Sequence, residues 1–302
     1  MGGFKLSLSL DHMDLCTVTD VLAILPALTK LNLTTCQAIS DSPSAPSDVQ
    51  GFPMLRRLCM HGCNMDGCLY VLKRMSPGTS LVYLELGVMG SRREHRWYEL
   101  FNNLKTVISH NTLSIVHFTV YNPIVHEGAR HVPMNFQTIS PLLHFPHISE
   151  FKHTGYCYLD LNDSDVALMA RAWPHLKSFI IRDAGRLTHH AFLPLAKYCP
   201  ELEVLGMTID ATNVSDYEEG PERGAKLREL MIFQSSMDDS ALVAAFISGI
   251  FPNVVEISFS FFKKTPDSAV PHDRAHWTKW KDVERLIPIF AAARRQEANR
   301  RS

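Results

Sequence analysis

Pro26-Ala27-Leu28-Thr29-Lys30-Leu31-Asn32-Leu33 is followed 27 residues later by Pro53-Met54-Leu55-Arg56-Arg57-Leu58-Cys59-Met60. Both read Pro-x-Leu-x-x-Leu-x-apolar. The phrase returns with substitutions at Leu81, Leu84, Leu86; Leu113, Val116, Phe118; Ile148, Phe151, His153; Leu176, Phe179, Ile181; Leu202, Leu205, Met207; Leu227, Leu230, Ile232; and Val254, Ile257, Phe259. Successive phrases begin 25 to 35 residues apart, and self-similarity at such a period marks stacked supersecondary units.

The last two apolar positions of each phrase are two apart, so both point to one face of a short strand, and the first covers the turn before it. Between phrases the periodicity is helical. Asp163-Ser164-Asp165 opens Val166 to Trp173, Thr188 opens Phe192 to Tyr198, and Asp238-Asp239 opens Leu242 to Phe251. Each opener carries an oxygen that can accept orphan backbone N–H bonds, and each segment stops just before a proline. One strand and one helix per ~26 residues bury no core alone, so neighbouring units must stack.

These features resemble the leucine-rich repeat family, whose phrase places Asn or Cys three residues after the last apolar position. Cys36 and Cys63 occupy that slot, and elsewhere it is degenerate. A narrower resemblance lies in Ala170-Arg171-Ala172-Trp173-Pro174-His175-Leu176, similar to the helix-to-strand joint of fungal F-box proteins with leucine-rich repeats. Trp280-Lys281-Asp282-Val283-Glu284 with Ile287-Pro288 is similar to the closing helix of that group. The family resemblance implies an α/β solenoid, a horseshoe with parallel strands on its concave face and helices on its convex face. The narrower one implies a substrate receptor for a cullin-based ubiquitin ligase, whose adaptor would bind only through an F-box. No F-box is legible here, because strand-like alternation begins by Lys5.

The expected organisation is one solenoid over 1–302, with irregular loops near 37–51, 121–135, 210–224 and 263–276 and a C-terminal capping helix at about 277–299. Within the last, Trp277 and Trp280 share a face suited to covering the end of the array.

Composition narrows the function. Of the 302 residues, 46% are hydrophobic, which suffices for a sizeable core, and 30 basic against 31 acidic residues give a net charge of -1. Neither nucleic acid nor an anionic membrane is an expected partner of so balanced a chain, although Arg285, Arg294, Arg295, Arg300 and Arg301 make the C-terminus basic. No apolar run approaches the ~20 residues that span a bilayer. Seven cysteines without a secretory signal read as free thiols, and the expected location is cytoplasm or nucleus. Cys59, His61, Cys63 and Cys68 lack the paired spacing of a zinc site, and the repeat frame assigns Cys63 to a ladder slot and Cys59 and His61 to the outward strand face. The 15 histidines, among them His144, His147, His153, His189 and His190, accompany no hydrolase, P-loop or metalloprotease motif and read as solvated or strand-surface groups.

The reading is therefore a non-enzymatic protein–protein interaction module with no cofactor and no metal. Two alternatives remain: a scaffold or pseudo-receptor without ligase coupling, and a Cys/His-dependent hydrolase. Residues flanking the inward leucines line the candidate binding face: Arg57, His61, Tyr83, Glu85, His117, Lys152, Ile180, Arg182, Glu229, Met231, Phe233 and Glu256. Ile180, Met231 and Phe233, apolar where solvent is expected, mark the expected hot spot.

Overall fold

The structure is a computed structural model that describes residues 3–10, 15–34, 50–89, 94–121, 134–155, 157, 159–182, 184–214, 224, 226–258 and 271–301. The expected irregular segments fall largely outside these residues, as do the ladder position Cys36 and the phrase-closing Phe259. The chain forms two compact units, Met1–Leu159 and Asp160–Ser302.

The first unit contains strands β1 (Phe4–Ser9), β2 (Leu28–Thr34), β3 (Arg57–Cys63), β4 (Tyr83–Met89), β5 (Ile115–Tyr121), the two-residue β6 (Met134–Asn135) and β7 (Glu150–Gly155). All but β6 lie side by side in chain order, every neighbouring pair parallel. Register turns the repeated phrase into columns. Leu31, Leu58, Leu84, Val116 and Phe151 align across β2–β7, as do Leu33, Met60, Leu86, Phe118 and His153. All ten are buried. Helices α1 (Leu15–Ala23), α2 (Met65–Lys73), α3 (Glu94–Val107) and the single turn α4 (Phe136–Ile139) connect the strands. On α3, Trp97 and Phe101 are buried, with ring centroids 5.7 and 5.5 Å from that of Phe118. The helices thus cover the face to which the leucines point.

The second unit repeats the plan. Its strands are β8 (Leu159–Asn162), β9 (Ser178–Ile181), β10 (Ala184–Arg186), β11 (Val204–Met207), β12 (Asp210–Ala211), β13 (Glu229–Met231), β14 (Ser236–Met237) and β15 (Glu256–Ser258). β9, β11, β13 and β15 form the parallel ladder, and β12 pairs with β14. Its helices are α5 (Asp163–Ala172), α6 (Phe192–Tyr198), α7 (Ser240–Ile250) and α8 (Pro271–Arg301). Parallel strands in chain order, with their leucines facing the connecting helices, make this an α/β leucine-rich repeat fold.

The prolines have a specific task. Leu28, Leu55, Ile148, Leu176, Leu202 and Val254 each donate their backbone N–H to the carbonyl of the residue three before them: Leu25, Phe52, Phe145, Trp173, Cys199 and Phe251. A proline follows each acceptor, at the second position of the turn, where its fixed φ is already correct. The same proline ends any helix before it, because it has no N–H to continue the ladder.

Helix starts refine the expected openers. The α5 cap is Asn162, one residue earlier than expected; its side chain accepts from Ser164 and Asp165, and Asp165 completes a capping box. Asp239 caps α7 by accepting from Ala241 and Leu242.

Two histidines depart from the expected solvated or strand-surface setting. His153 fills an inward column slot and is fully buried, its ring centroid 4.7 Å from that of Phe118. Neither ring nitrogen has a hydrogen-bond partner, and burial pushes the imidazole down to about 3. His189, buried in the turn before α6, has its ring centroid 4.9 Å from that of Phe246, and burial also lowers its pKa.

Candidate protein-binding face

The strand residues that alternate with the inward columns form three outward rows in the first unit. One row runs Lys5, Lys30, Arg57, Tyr83, Ile115, Glu150; the next Ser7, Asn32, Cys59, Glu85, His117, Lys152; the third Ser9, Thr34, His61, Gly87, Thr119, Thr154. Sheet pairing therefore places side by side residues that lie 25 to 35 positions apart in the chain.

Seven of these residues interlock. The Arg57 guanidinium stacks over the Tyr83 ring at 3.7 Å and donates to the Cys59 thiol at 3.5 Å. The Tyr83 hydroxyl donates to Glu85 Oε2 at 2.5 Å, and the Cys59 thiol points at the same oxygen at 3.8 Å. His61 Nε2 is 3.7 Å from the other Glu85 oxygen. Tyr83 meets the edge of His117, whose Nε2 is 3.4 Å from Glu150. Electrostatics follow this packing. Burial, then the hydrogen bond to Glu85, pushes the Tyr83 phenol up, so it stays a donor. Burial pulls the His117 imidazole down against the opposing pull of Glu150. Lys152, its neighbour in the row, is half-buried.

Cys59 is buried, although the sequence frame turns it outward with His61. Its neighbours Arg57 and Glu85 close over it, because a thiol is the shortest side chain in that part of the face. Burial raises its pKa more than the Arg57 hydrogen bond lowers it. A thiol held protonated is a poor nucleophile. Among the described residues no group of three His, Cys, Asp or Glu side chains could hold a metal ion.

In the second unit the expected hot spot breaks up. Glu229 and Glu256 are adjacent in register and half-buried, and Met231 is half-buried next to Ser258. Ile180, however, is only 5% exposed. Its partner in the row is Gly206, followed by Met231. A Cβ on Gly206 would lie 3.1 Å from Ile180 Cγ2 and 3.3 Å from Met231 Cβ, so the missing side chain leaves the space into which Ile180 packs. Phe233 is 7% exposed for a different reason. β13 ends at Met231, and Phe233 takes a left-handed φ of 42° that breaks the strand alternation. Arg182 lies one residue beyond β9 and is exposed. Ile180 and Phe233 are therefore packing residues, and the solvent-facing array lies on the first unit.

Lys5, Ser7 and Ser9 were not legible as binding-face residues. Phe4–Ser9 alternates as a strand should, but no leucine precedes it at the phrase spacing, so the repeat frame starts one strand late.

No family model matches the chain, and no curated protein matches it. Among solved structures it is similar to one described as a complex of Rad7 and Elc1 in yeast, at 13% identity and a TM-score of 0.35, covering 87% of this chain and 82% of that chain. It is also similar to the internalin InlF of Listeria monocytogenes, at 14% identity and a TM-score of 0.36, covering 86% of this chain and 81% of that chain. The fold assignment rests on the ladder and its columns.

Proposed function

We propose that the chain is a non-enzymatic protein-interaction module that holds its partner on the outward strand face of the first unit. The observation that carries this reading is the interlocked array of Arg57, Tyr83, Glu85, His117 and Glu150 on consecutive strands. Aromatic and guanidinium groups fixed by their neighbours lose little conformational freedom on binding, and such groups supply most interface energy. Partly exposed polar contacts such as His61–Glu85 add little stability of their own.

The test is site-specific photocrosslinking in cells. A photoreactive residue at Thr119, on the strand face, should yield protein adducts that are lost when Tyr83 is changed to Ala. The same residue at Asn102, exposed on α3, should not yield them. Equal adducts from both positions would move the binding site off the strand face.

A substrate-receptor role in a cullin-based ubiquitin ligase is the finer form of this reading. It requires an F-box in the full-length gene product and co-purification with the ligase adaptor. A full-length product that binds its partner but no adaptor leaves the scaffold form.

A further inference from the structure

The outward face of β1, β2 and β3 carries its charge in one row of one sign. Lys5 pairs in register with Lys30, and Lys30 with Arg57. Strands in a sheet are about 4.8 Å apart, so three cations occupy about 10 Å. Among the described residues none of the three forms an ion pair with a carboxylate. The Lys30 ammonium is held below its usual pKa, first by the charge of Lys5. The remaining outward positions of these strands are Ser7, Ser9, Asn32, Thr34, Cys59 and His61, and no carboxylate appears before Glu85 on β4. Glu85 already accepts from Tyr83 and faces His61.

A second feature lies beside the row. Asn32 donates through Nδ2 to Ser7 Oγ at 3.1 Å, while its Oδ1 is shielded from solvent and has no hydrogen-bond partner. Shielded in this way, that oxygen is out of a partner's reach, and the row of cations is what the face presents. The next residue of the row, Tyr83, has Arg57 on one face of its ring and His117 at its edge, a poor platform for stacking a base.

We infer that the partner presents a short extended acidic segment to this face, its carboxylates on the Lys5–Lys30–Arg57 row. The inference rests on the interaction-module reading above and names the partner's chemistry. In an extended segment, side chains on the same side recur every ~6.7 Å, so two carboxylates two residues apart fit within the row.

The test uses the full chain and three fluorescent probes: a seven-residue peptide alternating serine and glutamate, the same peptide with glutamine for glutamate, and a single-stranded oligonucleotide of equal charge. The glutamate peptide should bind at least ~10-fold tighter than the glutamine peptide, and more weakly as salt rises. Lys30→Glu should weaken it at least ~10-fold, and Lys30→Arg should retain it, with melting curves confirming that both variants fold. The inference is overturned by equal binding of the two peptides, by no binding of either, by an unaffected Lys30→Glu variant, or by tighter binding of the oligonucleotide. If Thr119 adducts form while the glutamate peptide fails to bind, only the acidic class falls. If the adducts also fail, the interaction reading falls with it.

Discussion

Glu284 on α8 accepts the backbone N–H of Ile257 on β15 at 2.7 Å, so a side chain occupies the place where another strand would pair. Lys281, one helical turn away and bonded to Glu284 at 2.8 Å, donates to the carbonyl of the same residue at 3.3 Å. The indole N–H of the fully buried Trp280 donates to the Ser235 carbonyl at 3.1 Å. An open strand edge recruits other strands, and here one ion pair supplies both an acceptor and a donor to close it. Glu284→Ala should cost about 1–3 kcal/mol, the loss expected when a backbone donor is left without its charged acceptor. It should also raise aggregation on heating. Calorimetry with light scattering reads both, and an unchanged melting temperature would refute the role.

His153 should make the protein acid-sensitive. Folded, its imidazole stays neutral down to about 3, whereas an unfolded histidine titrates near 6.5. Between those values the unfolded chain takes up the proton first, so stability falls as pH drops. From pH 7 to pH 5 this one group should remove about 2 kcal/mol. Leucine at this position would match Leu33 and Leu86 in the same column. His153→Leu should therefore stabilise the protein by about 1–3 kcal/mol at pH 7, by removing two unsatisfied nitrogens, and flatten its acid dependence. Denaturant melts at the two pH values decide it, and parallel slopes for both proteins would exclude His153 as the cause.

Phe233 and Ile180 should behave as core residues. Phe233→Ala should lower stability by about 3 kcal/mol and Ile180→Ala by about 2–4 kcal/mol, the range for emptying a packed site. Gly206→Val should be destabilising as well, since its branched side chain would enter the space that Ile180 fills. Partner adducts at Thr119 should persist in the folded variants. Loss of those adducts from a fully folded Phe233→Ala protein would return the hot spot to the second unit.

The cysteines should be slow to react. Cys16, Cys59, Cys63, Cys68, Cys157 and Cys199 are buried thiols, and burial pushes the Cys199 thiol up to about 12. At pH 8 these six thiols should react with an aromatic disulfide reagent only as fast as the protein unfolds, and all seven cysteines of the chain should react at once in denaturant. Rapid labelling of Cys59 in the native protein, mapped by mass spectrometry, would show that the Arg57–Glu85 cover opens.

Residues whose partners are close in the chain were legible from the sequence by itself. The spacing of Leu28, Leu31 and Leu33 determines which side chains face the helices, because strand alternation has a period of two. Pro174 after Trp173 and Pro200 after Cys199 determine where helices stop, because proline has neither the N–H nor the φ freedom to continue. Exposure on the outward face was not determined this way. Ile180 is buried because Gly206, 26 residues later, leaves a gap beside it, and Phe233 is buried because the backbone leaves the strand conformation at that residue. Likewise Arg57 stacks on Tyr83, and Lys5 stands beside Lys30, only because inter-strand register aligns them. Hydrophobic period is a local property of the chain, so it is written in the sequence; solvent exposure, charge pairing and proton affinity depend on distant atoms brought within a few ångströms, and only the tertiary structure decides them.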